Sequence, residues 1–286
     1  MPNLARPVFV WGPMLFAIWL GGGDADAQTM RTMTSARQVW GTEPIDIEVV
    51  YGAGTLRIGA AEKPFLYQME LHYDEDTFTP VVEFDEEDRE LRLGIRSPEG
   101  VRRSLNVREG STATIGLTRE VPIDLDLEFG AGKADIQLGG LSLRSISLAT
   151  GASETVIAFD SPNVVSAERV SIEAGAADLR VTGLANARAE RISFKGGVGA
   201  TVLDFGGEWQ HSATATVEMG VGSLTLQVPR GHGIRINRSS FLTSFSATDL
   251  SRDGDSYFSP EWAGATHRLT IDVSAALGSV EVKWID

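Results

Sequence analysis

The chain offers few residues able to do chemistry, and their spacing argues against most of it. Its four histidines, His72, His211, His232 and His267, stand far apart in sequence, with no H-x-x-x-H and no His/carboxylate pair at ligand spacing. His267 falls in an alternating run and reads as a surface or rim residue. No G-x-S-x-G turn is present to expose a nucleophilic serine, and there is no cysteine. The run from Asp249 to Asp255 sets oxygen groups at positions one, three, five and seven with Gly254 at six, as a calcium loop does. Position twelve, which needs a bidentate glutamate, is Pro260, so the run reads as a glycine-containing hairpin turn. The sequence therefore predicts no catalytic residue, no metal site and no cofactor. Trp209 and Trp262 are the remaining candidates: both lie outside any repeating register, and each is either a binding platform or a lid.

The elements that would carry such residues are written as a repeat. LEFGAGKADIQL recurs as LATGASETVIAF, IEAGAADLRVTG, FKGGVGATVLDF and VEMGVGSLTLQV, with looser copies VVYGAGTLRIGA and VSAALGSVEVKW. Anchored on Gly130, Gly151, Gly175, Gly197 and Gly220, the intervals are 21, 24, 22 and 23 residues, the period of a solenoid. After each anchor apolar residues fall at every second position, as in Ala134, Ile136, Leu138 or Thr201, Leu203, Phe205. That is the pattern of a half-buried strand, with Leu203 inward and Asp204 outward. A second strand precedes each anchor, as at Leu127 and Phe129.

Two residues after each anchor the side chain is small: Gly54 after Gly52, then Gly132, Ser153, Ala177, Gly199, Gly222 and Gly278. A chain that turns a corner and stacks on its neighbour needs close backbone approach or positive φ there. A dinucleotide fingerprint would open a helix, whereas strands follow these glycines, so they read as structural. Five to six turns stacked about 4.8 Å apart make a body about 25 to 30 Å long. Its two open ends need caps or a second copy to meet end to end.

Residues 1–27 read as a signal peptide: Arg6, an apolar run from Val8 to Leu20, and Ala25-Asp26-Ala27 before Gln28. Cleavage near Ala27 predicts an exported protein, periplasmic or extracellular, with no integral membrane segment in the mature chain. Removing Arg6, Asp24 and Asp26 leaves 24 basic residues against 37 acidic ones, a surface that repels nucleic acid. Asp74-Glu75-Asp76 and Asp85 to Glu90 concentrate the acid and read as charged hairpin turns. The sequence divides into residues 1–27, an N-terminal β region at 28–120 holding the first solenoid strand and charged hairpins, and solenoid repeats with a C-terminal hairpin cap at 121–286. The outward positions Asp135, Arg180, Asp204, Glu281 and Lys283 are mixed in charge. A polysaccharide lyase β-helix would carry a recurring acidic column instead.

The closing segment DGDSYFSPEWAGATHRLTIDVSAALGSVEVKW resembles the end of the toast-rack and LiaF-like C-terminal domain family. Gly254, Tyr257, Ser259, Ala265, His267, Leu269, Ile271, Gly278, Ser279 and Val280 carry the likeness, and YGAGTLRIG, PIDLDLEFGAG and GVGATVLDFGG extend it upstream. The resemblance implies a right-handed single-chain β-solenoid with β caps at both ends, and in some members a link to bacterial envelope stress responses. It supplies no catalytic residues. The expected function is an exported, non-enzymatic cell-envelope scaffold or protein-interaction module whose partner is an envelope protein or glycan. The alternative is a glycan-binding or glycan-active β-helix.

Overall fold

A computed structural model of the chain describes residues 29–96 and 110–285. The predicted signal peptide and its cleavage site lie outside the described residues. Fifteen strands form one continuous open sheet system. They are β1 (Met30–Gln38), β2 (Ile45–Ala60), β3 (Phe65–Asp74), β4 (Thr79–Asp85), β5 (Glu90–Arg96), β6 (Thr112–Leu117), β7 (Ile123–Gln137) and β8 (Leu143–Ala158). There follow β9 (Ala167–Thr182), β10 (Ala189–Asp204), β11 (Ala213–Pro229), β12 (Gly233–Ala247), β13 (Ser251–Asp253), β14 (Ser256–Phe258) and β15 (Arg268–Ile285). The only helical element among the described residues is one 3-10 turn, Leu184–Ala187. The protein is an all-β solenoid.

Each predicted pair of short strands is one long strand bent at the small residue, which joins two arms of one rung. Eight such rungs lie parallel in the spatial order β2, β7, β8, β9, β10, β11, β15, β12. This exceeds the expected five to six turns, and eight rungs span about 34 Å at the usual strand spacing. The extra rung is β12, whose corner is Thr243, paired with Gly278, so a search for glycine anchors passes over it.

The alternation holds the rungs together. Ile58, Ile136, Ile157, Val181, Leu203, Leu226 and Val282 pair from rung to rung and are all buried in one core. At about 1.5–3 kcal/mol for each fully buried aliphatic side chain, this column is the main stabilising term. Return segments between rungs close the third side with Leu138, Leu141, Phe159, Leu184 and Phe205. Two buried asparagines tie these segments down. The Asn163 side chain donates to the carbonyls of Leu143 (2.7 Å) and Val165 (2.8 Å) and accepts from the Leu143 N–H at 2.8 Å. Asn186 donates to the Phe159 carbonyl at 2.8 Å and accepts from the Glu208 N–H at 2.9 Å. Such groups would be costly in a core if left unpaired.

Both ends break sequence order. At the start, β2 pairs directly with β7, and the intervening chain folds over its other side: β5 pairs with the first arm of β2 and β6 with the second. β4 extends the first arm antiparallel, and β3 and β1 extend the second. At the finish, β12 skips a place, the β13–β14 hairpin folds back, and β15 enters between β11 and β12. The closing Gly278-Ser279-Val280 strand is thus the next-to-last rung in space rather than the last.

Candidate functional site

Of the three columns that meet at the bend, two are built from backbone constraints and the third is exposed. The corner column runs Gly54, Gly132, Ser153, Ala177, Gly199, Gly222, Gly278, Thr243. Gly132 and Gly222 have φ of 119° and 140°, and a Cβ on either would collide with the carbonyl of the glycine one rung back. The anchor column Gly52, Gly130, Gly151, Gly175, Gly197, Gly220 stacks backbone on backbone in the same way. The glycines of either column have no side chain to offer a ligand.

Between these two columns lies one residue per rung that points to solvent: Ala53, Ala131, Ala152, Ala176, Val198, Val221, Leu277, Leu242. The side chains grow toward one end of the solenoid. Val198, Val221, Leu277 and Leu242 are 57%, 42%, 49% and 64% exposed. They supply four of the seven large hydrophobics exposed among the described residues, and they are contiguous, so the ridge is a surface feature rather than scatter. Beside them on the second arm stand Ala200, Ser223, Ser279 and Ser244, none charged. Beside the alanines the same offset carries Lys133, paired with Glu154 at 2.9 Å, and Asp178. The ridge thus has an apolar half and a charged half.

The tryptophans singled out by sequence are both half-buried. Trp209 packs on the core and donates its Nε1–H to the Phe205 carbonyl at 3.0 Å. Trp262 lies 5.8 Å from the Phe258 ring and under the Arg268 guanidinium at 5.2 Å. The more open indole is Trp40, 59% exposed, in the loop before β2. Arg89 lies 5.6 Å over its ring, but that guanidinium is held by the carbonyls of Pro44 (2.9 Å) and Glu43 (2.8 Å). Sequence reasoning passed over Trp40; an indole beside Gly41 and Pro44 was the available signal.

Three of the four histidines, far apart in sequence, meet. His211, His232 and His267 line one small cleft with Trp209, Arg268 and Leu269, because the cap returns the chain past the foot of β11. Carbonyls can only accept, so His211 donates Nδ1–H to Ser212 (3.1 Å) and His232 donates to Arg230 (3.0 Å). His211 Nε2 is left buried without a partner among the described residues. Among the described residues no three His, Asp or Glu side chains stand close enough to hold a metal ion. His72 is remote, its Nδ1 at 3.1 Å from the Thr32 hydroxyl. The Asp249 to Asp255 run forms the β13–β14 hairpin, with Gly254 at φ 60° and Arg252 donating to the Gly254 carbonyl at 2.8 Å.

A depression of about 490 Å³ lies beside the N-terminal cap and is lined by Ala60, Lys63, Phe65, Thr118 and Glu120 among others. Of its charged groups, Lys63 pairs with Glu120 at 3.0 Å. Its Thr118 hydroxyl accepts the Glu120 N–H at 3.0 Å. Buried Tyr51 has its phenol pushed above the usual range by desolvation, but its ring stacks on Phe129 at 6.1 Å inside the core, away from any opening.

No helix among the described residues is long and apolar enough to cross a membrane. No curated protein matches the chain. A candidate cell-adhesion protein from Clostridium sporogenes aligns in structure over 89% of this chain and 100% of its own, at 14% identity and a TM-score of 0.47. A candidate adhesin from Bacteroides fragilis aligns over 88% and 97%, at 11% identity and a TM-score of 0.40. The N-terminal domain of toast_rack matches residues 24–182 and again 169–227, and with more than half of its length covered the chain belongs to the toast-rack family.

Proposed function

We propose that this chain is an exported, non-enzymatic interaction module of the bacterial cell envelope, and that its working surface is the apolar half of the corner ridge. The observation that carries this reading is the contiguous exposure of Val198, Val221, Leu277 and Leu242, the first three beside glycine corners with no room for a Cβ. The ridge presents apolar side chains in fixed register at about 4.8 Å intervals, which suits docking into a groove of a protein partner. Export rests on the apolar run and the Ala25-Asp26-Ala27 step at the N-terminus. A role in envelope stress signalling is what family resemblance alone implies. Trp209 and Trp262 are half-buried against the protein, whereas the ridge is open and apolar, which favours the protein partner.

Site-specific photo-crosslinking in the exporting cell tests this. A photoreactive residue at Val198 or Val221 should yield one discrete adduct with an envelope protein, and the same residue at Asp135, on the outward face of β7, should yield none. Equal labelling from both places, or none from the ridge, would overturn the proposal.

A further inference from the structure

The two ends of the solenoid treat their backbone edges differently. At the start the outermost strands are β1 and β4. Arg31 and Arg37 on β1 reach into ion pairs with Glu75 and Glu86, while β4 carries Pro80, Glu83 and Asp85. Charges and proline are the usual means of stopping a further strand from adding. At the other end β12 is outermost, and β14 covers only Arg235, Ile236 and Asn237. From Ser239 to Ala247 no strand among the described residues pairs with the outer side of β12. That run, SSFLTSFSA, holds no charge and no proline. Nine residues make about 30 Å of open edge.

Net charge follows the same division. Residues 28–96 hold seven basic and fourteen acidic side chains, and residues 230–286 hold six and seven. An acidic body of the same kind is repelled at the first end and meets almost no net field at the second.

The geometry points to a two-fold dimer in which β12 pairs antiparallel with β12 of a second copy, so that two solenoids join at their C-terminal ends. The strand is complementary to itself. Phe245 and Ala247 share the inner face with Val280 and Val282, while Ser244 and Ser246 share the outer face with Ser279 and Glu281. A register centred on Phe245 sets Thr243 against Ala247 of the copy and Ser244 against Ser246; one centred on Ser244 sets Thr243 against Phe245. Neither brings two charges together. Leu242, the last residue of the ridge, loses water in both. Head-to-tail stacking is disfavoured. It would lay β12 along β1, which runs in the rung direction but presents its arginines and the acidic end. The isologous contact also closes, where head-to-tail stacking would grow into a filament. Within the open edge these registers pair five or seven residues, a strip about 17 to 24 Å by 10 Å that buries about 350 to 450 Å² in total, below the standard interface, so the dimer should dissociate on dilution. The inference does not rest on the ridge binding a partner.

Sedimentation velocity over about a hundredfold range of concentration should show monomer passing to dimer. In S244K/S246K, two exposed outward positions gain lysines; the melting temperature should hold while the dimer dissociation constant rises at least about tenfold. The chain has no native cysteine. Mild oxidation should therefore link Ser244→Cys to itself or to Ser246→Cys, according to register, and leave Thr114→Cys at the far cap unlinked. Monomer at every concentration would overturn the inference. So would a folded lysine variant that dimerises like the parent, or cross-linking of Ser244→Cys to Thr34→Cys on β1. Ridge photo-adducts of the parent that survive in S244K/S246K would leave the interaction-module reading standing whichever way the dimer test falls.

Discussion

β11 and β12 pack against opposite sides of the same strand, yet they obey different rules. Val221-Gly222-Ser223 of β11 and Leu242-Thr243-Ser244 of β12 both align with Leu277-Gly278-Ser279 of β15. β11 has a rung on each side, and its corner Gly222 takes φ 140°, where a Cβ would meet the Gly199 carbonyl. β12 has a rung on one side only. Its corner carries a threonine outside the left-handed region, with Oγ1 donating to the Ala275 carbonyl at 3.0 Å. The difference teaches that glycine marks the corners held at positive φ, where a Cβ would meet the carbonyl one rung back; Thr243 shares with Ser153 and Ala177 a corner outside that region.

The sharpest way to break this comparison is to put the same side chain at both corners. Gly222→Val drives a Cβ into the Gly199 carbonyl and forces a β-branched residue to positive φ; it should cost more than about 4 kcal/mol or abolish folding. Thr243→Val loses one hydrogen bond and should cost only about 0.5–1.5 kcal/mol. Urea denaturation of both variants decides the matter, and similar losses would mean the corners are not distinguished by crowding.

A second contrast lies within one interior rung. Leu203 is 1% exposed on β10, and Leu203→Ala should cost about 2–5 kcal/mol. Its neighbour Asp204 points outward, but its carboxylate accepts the Gly206 N–H at 2.6 Å as the chain leaves the rung. Asp204→Ala should therefore cost about 1 kcal/mol rather than nothing. Chemical denaturation giving equal losses at the two positions would refute the inward and outward assignment.

These contrasts also mark what the sequence made legible. The interior rungs were readable because each must match two neighbours, which prints the same small residue and alternation at Gly132, Ala177, Gly199 and Gly222. The rung β12 was not, because its corner carries Thr243 in place of a small residue. The order β11, β15, β12 was hidden for a different reason: Gly278 reports that its strand is interior, but nothing in a linear repeat says that a later strand can be inserted before an earlier one. The ridge was present in the sequence as the residue after each anchor, and went unread because Ala53 and Ala131 look like spacers until Val198, Val221 and Leu277 are seen beside them. The meeting of His211, His232 and His267 depends on the cap's return path, which no spacing rule encodes.

The smallest effect is expected at the opposite end of the solenoid, on the first arm of β2. Asp46 is paired laterally with Asp124 on β7 and with Glu90 on β5, a row of three carboxylates. Arg144 and Ser145 attend to Asp124, at 2.5 and 2.8 Å, which leaves Asp46 between two like charges. Desolvation first, and then the Asp124 charge, hold the Asp46 carboxyl above its ordinary range, while Arg144 opposes this only in part. An acid whose folded pKa is raised binds its proton more tightly folded than unfolded. Its ionised form therefore destabilises the protein above that pKa, and the penalty fades as pH falls through it toward the unfolded value. Asp46→Asn should accordingly raise stability near neutral pH. Because the side chain is exposed and screened by water, the gain should be only a few tenths of a kcal/mol. Melting curves of parent and variant should converge as the pH drops through the carboxylate range. A gain that persisted or grew in acid would show that Asp46 is stabilising there, and that the acidic end is tolerated through contacts other than relief of its own repulsion.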